Sequence, residues 1–319
     1  MGKRIAITGA TGFVGSNVAK ILMEYGHSVA GLSRRPMDAP FPMVVVDFSS
    51  QESLDWALAG FDAVVHCAIN NDWTKLNQDP ELAFDSYVGM TSRVARAALA
   101  NDAQMVYIST DWILDGTQHL VPETQNGHPI NYYGFLKAMG EQVVRDLHPV
   151  DGAVCRISGV MGRHQLAAEG PRKQDPGLGH FVYSIVEAIQ AGEDFTVWNG
   201  PNINEVASMS LAAEIGAEIE RVISRRVGGN LHLVSDDAVP RFELAKLVCE
   251  IFNLDQSLLH QGPPAPEDLF PEPVPVDTTF SNKITKQKLG LGPTPLRALL
   301  EAFKTELETG VSTALTKPE

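Results

Sequence analysis

Thr8-Gly9-Ala10-Thr11-Gly12-Phe13-Val14-Gly15 is the stretch whose reading decides the fold. It directly follows the apolar run Arg4-Ile5-Ala6-Ile7 and opens a segment with helical spacing that runs to about Tyr25, so its glycines sit at a strand-to-helix junction. Gly9 permits the tight turn, Gly12 lets the backbone approach a pyrophosphate, and Gly15 allows the helix to pack closely on the strand. The N–H groups at the helix start then face an anion, aided by the helix dipole. A glycine triplet alone is weak evidence; here the weight comes from its place within a βαβ unit.

Outward from this turn, short β-rich runs alternate with helical patterns. Residues 4–7, 28–32, 43–46, 63–67, 105–108 and 153–157 read as successive strands. Between them, Ala83, Tyr87, Met90, Val94 and Ala97 recur at intervals of three and four. Repeated βαβ units with right-handed crossovers predict an α/β fold of Rossmann type, a doubly wound parallel sheet that binds ligands at the carboxyl ends of its strands. Residues 1–160 are expected to form this domain. Residues 161–319 form mainly a smaller C-terminal part for substrate, with a segment of about 195–234 returning to the first. The second half is expected to hold a polar loop over residues 162–179, helices over 181–191, 208–223 and 240–252, and a late strand over 230–234. Residues 261–277 carry six prolines in 17 positions, which suits either a solvated linker or an ordered arm beside the ligand. No internal repeat is visible.

Composition narrows the partners. Asp and Glu outnumber Lys and Arg by 39 to 25, and a net charge of −14 disfavours nucleic acid and anionic membrane surfaces. No apolar run approaches the ~18 residues of a membrane span. The three cysteines, Cys67, Cys155 and Cys249, are far apart and show no zinc-ligand spacing, and the nine histidines form no HxH or HxxxH pair, so no metal site is expected. The short apolar stretch after Arg4 is no signal-peptide core, and a reduced cytoplasmic protein is the expectation.

The GxxGxxG spacing resembles the short-chain dehydrogenase/reductase superfamily, and at this length its extended branch. An NAD-preferring site needs an acid near the end of the second strand; between His27 and Met37 there is none, and Ser33-Arg34-Arg35 stands there instead. Guanidinium groups match a phosphate in charge and fork geometry, so NADPH is favoured over NADH, against the alternative of a solvated surface pair. The resemblance implies an adenine contact at Asp47 and Phe48. It also implies cofactor contacts at Cys67, Ala68, Ile69, Ser109, Ile157 and Ser158, with the run from Arg156 to Val160 bordering the nicotinamide.

Tyr133 and Lys137 lie four residues apart on a helical segment, hence on one helix face. A tyrosine needs a nearby cation to ionise near neutral pH, and Lys137 is in reach to supply it. Upstream, Tyr107-Ile108-Ser109-Thr110-Asp111-Trp112-Ile113 is a strand ending in hydroxyl residues. Residues 109–116 and 132–141 together look most like dTDP-4-dehydrorhamnose reductases. That resemblance implies Tyr133 as proton donor, Lys137 as the residue that tunes it and holds the nicotinamide ribose, and Thr110 as partner of the substrate carbonyl. Asn70 and Trp112 join Thr110 and Tyr133 as expected substrate contacts. The implied activity is NADPH-dependent reduction of a keto group on a nucleotide sugar. Two features depart from the family. Tyr87 stands where an Asn usually supports a proton relay and reads as packing on the apolar stripe. The loop after Gly162 does not match, which leaves the sugar open. A dehydratase would follow the Thr-Asp pair with a Glu, and that position is Trp112. An epimerase, or a non-catalytic NADP-binding regulatory subunit, is also compatible with the same scaffold. Oligomeric state is open, a homodimer being the form relatives often take.

Overall fold

A computed structural model describes residues 2–70, 78–167, 177–178 and 180–318. In chain order the first half forms β1 (Arg4–Thr8), α1 (Phe13–Glu24), β2 (Ser28–Ser33), β3 (Met43–Val45), α2 (Gln51–Ala57), β4 (Ala63–His66), α3 (Pro80–Phe84), a π-helical turn (Asp85–Gly89), α4 (Met90–Ala100), β5 (Gln104–Thr110), α5 (Tyr132–Leu147) and β6 (Ala153–Ile157). The second half adds β7 (Val160–Met161), α6 (Phe181–Gln190), β8 (Phe195–Trp198), β9 (Val206–Ser208), β10 (Ser210–Leu211), α7 (Ala212–Ser224), β11 (Gly229–His232), β12 (Ala238–Pro240), α8 (Arg241–Phe252), β13 (Leu259–Gly262), β14 (Asp277–Thr278), α9 (Lys283–Leu289) and α10 (Leu296–Thr309).

Seven strands pair in the order β11-β6-β5-β4-β1-β2-β3, all parallel. The inner strands read as nearly unbroken apolar runs because helices cover both faces. On one face α1 and α7 pack Val18, Leu22, Ile215 and Ile219 against Ile5, Ile7 and Val65. On the other, α2, α4 and α5 bring Leu54, Val94, Ala98 and Val144 to Ala6, Val64 and Met105. Strand order reverses between β1 and β4, which opens a crevice over their carboxyl ends.

Around a separate core of Phe181, Val248 and Phe303 gather α6, α8 and α10, with a three-strand sheet β12-β9-β14 and a pair β13-β8. Of the stretch 195–234, β8 belongs to this outlying pair, whereas α7 packs on α1 and β11 edges the large sheet. Ser208, Ser210 and Leu211, read from sequence as the start of a helix, lie in β9 and β10 instead. Their serine hydroxyls are taken by other segments, Ser208 donating to Phe280 O at 3.3 Å and Ser210 to Leu233 O at 2.6 Å, so the helix begins only at Ala212. The proline-rich stretch is an ordered arm held at both ends by strand pairing, β13 with β8 and β14 with β9. Among the described residues, no helix is long and apolar enough to cross a membrane. The expected 162–179 loop falls partly outside them.

Candidate active site

A cavity of about 470 Å³ opens over the strand ends at the switch point, lined by β5 and the start of α5 on one side and by the segment after β6 on another. Phe13 and Val14 of the glycine turn line it on a further side. Gly9 has φ +68°, and a Cβ there would stand 2.8 Å from the Ala68 nitrogen. A Cβ on Gly15 would stand 2.1 Å from Gly9 O, so α1 lies on the turn as only glycine allows. Gly12 caps α1 with no side chain of its own, which leaves the first N–H groups of the helix for a phosphate. The close turn, with the first N–H groups of α1 left open beyond Gly12, fits a dinucleotide pyrophosphate.

The other sequence-derived cofactor residues divide in two. Phe13, Val14, Cys67, Ile69, Ser109, Ile157 and Ser158 line the cavity, and burial pushes the Cys67 thiol up to about 12. Ala68 donates its N–H to Thr8 Oγ1 at 3.2 Å, and the Thr11 hydroxyl lies 3.9 Å from Met37 Sδ. Arg34, Arg35 and Asp47 are exposed beyond the ends of β2 and β3, outside the cavity lining. Hydrogen bonds from the Ser49 hydroxyl (2.6 Å) and N–H (2.9 Å) hold the Asp47 carboxyl below its ordinary range. Phe48 is half-buried and its carbonyl accepts from Arg93 Nε at 2.7 Å.

The candidate catalytic residues meet at the other wall. Asn131 starts α5, its Oδ1 accepting from Gly134 N at 2.8 Å. A Cβ on Gly134 would stand 2.1 Å from Trp112 O and one on Gly140 2.3 Å from Tyr107 Oη, so two glycines let α5 settle onto β5 and the turn after it. Tyr133 and Thr110 share a hydrogen bond, and burial pushes the phenol up to about 12. Lys137 is buried, donates to Ile108 O and lies 4.2 Å from the centroid of the Tyr107 ring; burial lowers its pKa to about 8. Burial is the largest influence on the Tyr133 phenol and the Asp111 carboxyl adds to it, both favouring the protonated form.

Behind this pair lies a buried polar network in which the sequence alone assigns no role to Asp111, Glu141 or His232. Asp111 is buried, accepting from Thr110 Oγ1 at 3.1 Å and from Ser158 Oγ at 2.7 Å. Burial raises its pKa. Arg156 does not border the cavity; it is wholly buried and forks onto Glu141, Nε to Oε1 at 2.9 Å and Nη2 to Oε2 at 2.8 Å. Ser109 Oγ donates to the same carboxylate at 2.6 Å. Arg156 Nη1 also lies 3.2 Å from His232 Nε2, and His232 Nδ1 lies 2.7 Å from Ser281 O. Burial lowers the His232 pKa to about 3, so the ring is neutral and its Nδ1–H donates to Ser281. Glu141 ends the run 132–141, and an acid so near an apolar stripe was the available signal. Leu178, His180 and Phe270 also line the cavity; the sequence names none of them singly, though Phe270 falls in the stretch read as a linker or an arm beside the ligand.

Tyr87 packs as its spacing implies, 3% exposed on the π-helical turn, and burial raises its pKa. Its hydroxyl donates to Asn70 O at 2.8 Å and its ring meets Tyr133 edge-on at 6.0 Å. Asn70 is not among the residues that line the cavity, while Trp112 lines it and meets Tyr133 edge-on at 6.1 Å. Among the described residues, no group of three or more His, Cys, Asp or Glu is placed to hold a metal ion.

Comparison with known proteins gives the family and the fold. The family described as RmlD substrate binding domain matches residues 3–309. A probable low-salt glycan biosynthesis reductase of Haloferax volcanii is 29% identical over 80% of this chain and 82% of its own. A dTDP-4-dehydrorhamnose reductase of Mycolicibacterium smegmatis is 26% identical over 95% and 85%. The methionine adenosyltransferase 2 subunit beta of Rattus norvegicus is 25% identical over 81% and 74%. In fold, the chain is similar to a dTDP-4-dehydrorhamnose reductase from Bacillus anthracis solved with NADP, with a TM-score of 0.76 at 22% identity, covering 96% of this chain and 100% of that one.

Proposed function

The chain belongs to the RmlD substrate binding domain family, and from that footing we propose that it reduces a keto group on a sugar with NADPH, a 4-keto nucleotide sugar being the substrate class. The observation that carries this reading is the meeting of Tyr133, Thr110 and Lys137 at the wall of one cavity that Phe13 and Val14 of the glycine turn also line, with Tyr133 hydrogen-bonded to Thr110.

The turn from Gly9 to Gly15 would hold the pyrophosphate, Arg34 and Arg35 the adenosine phosphate, and Asp47 and Phe48 the adenine side. Cys67, Ala68, Ile69, Ser109, Ile157 and Ser158 would border the nicotinamide side, with Lys137 at its ribose. When bound, NADPH supplies the hydride for the carbonyl carbon. Tyr133 gives its proton to the carbonyl oxygen as charge develops there, and Thr110 hydrogen-bonds the same oxygen. Thr110 Oγ1 otherwise donates its one hydrogen to Asp111, which Ser158 bonds in turn, so the hydroxyl would turn that hydrogen from Asp111 to the ketone. The −14 charge is overcome locally, because the glycine turn and the two arginines present donors against the overall field.

Residues 1–160 are assigned to the cofactor and 161–319 mainly to substrate, with part of 195–234 returning. The partner is a small keto-sugar rather than nucleic acid or a membrane, the setting the cytoplasm and the assembly a homodimer. Trp112 gives the site an indole where a dehydratase carries a base, which supports reduction over elimination. The methionine adenosyltransferase relative favours one second reading, a cofactor-binding subunit without turnover. A keto-sugar panel with NADPH and NADH in parallel tests both: the reductase consumes NADPH only when the ketone is supplied, and the subunit binds NADPH without consuming it.

A further inference from the structure

We propose that the proline-rich arm makes Phe270 the wall that selects the substrate's ring, and that this wall suits a pyranose turning an apolar C–H face toward it. The inference rests on the reductase reading for its substrate class, and adds to it the surface that discriminates among sugars.

The arm is built to hold one shape. Asn202 sits at φ +65°, a conformation Asn tolerates better than most residues, and its side chain is used entirely on the arm. Its Nδ2 donates to Phe270 O at 2.9 Å and Glu272 O at 3.0 Å, and its Oδ1 accepts from Val274 N at 2.7 Å. Two residues on, Asn204 Nδ2 donates to Pro275 O at 2.9 Å and Thr278 Oγ1 at 3.0 Å. Pro271, Pro273 and Pro275 carry no N–H and fix φ, so the backbone needs few partners and loses little freedom on ordering.

The same arm is bonded to the catalytic helix. Glu272 Oε2 accepts from Tyr132 N at 2.6 Å, and Asn131 Nδ2 donates to Pro273 O at 3.0 Å, both within two residues of Tyr133. Phe270 is thereby set edge-on to Trp112, centroids 5.6 Å apart at 84°, and Trp112 edge-on to Tyr133 at 6.1 Å and 73°. All three line the cavity and none is fully buried. An apolar wall leading to a single proton donor recognises a ring with one apolar face and one polar centre, as a pyranose ketone has.

Two variants test this, Phe270→Ala, which removes the wall, and Asn202→Ala, which leaves the wall's side chain but frees the arm. The measurements are KM and kcat for the keto-sugar, NADPH affinity by fluorescence, and calorimetric binding of dTDP-rhamnose to NADP-loaded protein. The expected result is a KM at least tenfold higher and dTDP-rhamnose binding at least tenfold weaker in both variants. NADPH affinity should stay within twofold, and Phe270→Tyr should recover most of the loss. An unchanged KM and unchanged dTDP-rhamnose binding in Phe270→Ala overturn the proposal while leaving the reductase reading intact. A wild-type protein that turns over no ketone but loses dTDP-rhamnose binding in Phe270→Ala removes the reductase reading and upholds the wall.

Discussion

Lys137 on α5 gives its ammonium to the main-chain carbonyl of Ile108 on β5, two residues before Thr110, and shields it over the ring of Tyr107. This contact ties the helix that bears Tyr133 to the strand that bears Thr110, and it keeps a cation in a buried place. Burial lowers the Lys137 pKa to about 8, with Glu141 and Cys67 pulling the other way.

The charge on Lys137 is present below about pH 8 and lost above it. The rate of keto-sugar reduction should therefore hold level on the acid side and decline above about pH 8. In Lys137→Met the level should be lower and the inflection gone, as a pH–rate profile measures. Because the folded pKa lies below the unfolded value of about 10.4, the unfolded chain binds more protons between the two. Wild-type stability should accordingly gain on Lys137→Met as pH rises through that window, read from urea melts at several pH values.

The Glu141–Arg156 pair is wholly buried, so removing one partner strands a charge. Burial raises the Glu141 carboxyl, but Arg156, Ser109 and Arg145 together hold it below its ordinary range. Glu141→Gln should lower stability by about 3–5 kcal/mol, and Glu141→Leu with Arg156→Met should recover much of that. The wild-type contribution is present above the unfolded carboxyl pKa and lost as pH falls through the lower folded value, so the gap between wild type and Glu141→Gln should narrow in acid melts.

Two glycines of the turn should separate folding from binding. A Cβ at Gly15 meets backbone at 2.1 Å, whereas one at Gly12 lies 3.3 Å from Gly9 O. Gly15→Ala should lose stability and NADPH binding together. Gly12→Ala should melt close to wild type and bind NADPH at least tenfold more weakly, as fluorescence titration beside thermal melts would report.

Arg34 and Arg35 are exposed and free to meet a phosphate. Replacing both with Ala should raise the KM for NADPH about tenfold or more and leave that for NADH nearly unchanged; equal changes for both cofactors would make them a solvated pair.

The sheet was legible because strands covered on both faces must be apolar throughout, and Ile5, Val64, Val106 and Val154 are each fully buried. The glycine turn and the placing of Tyr133 and Lys137 on one helix were legible because both follow from spacing. Pairings between distant segments were not. Ser208 and Ser210 carry no local sign that their hydroxyls close onto Phe280 and Leu233. Arg156 reads as a strand-end residue until Glu141 is seen beside it. The six prolines announce a chain that is neither helix nor central strand, but only Asn202, far away in sequence, turns that chain into a wall.

Proton donation by Tyr133 is tested most directly by NADPH oxidation with a 4-keto nucleotide sugar, measured for wild type and Tyr133→Phe. Steady turnover is expected of the wild type, with a kcat lower by about 10²–10⁴-fold in the variant and NADPH affinity unchanged. Full turnover by Tyr133→Phe, or a wild-type protein that binds NADPH and never consumes it, would contradict that role.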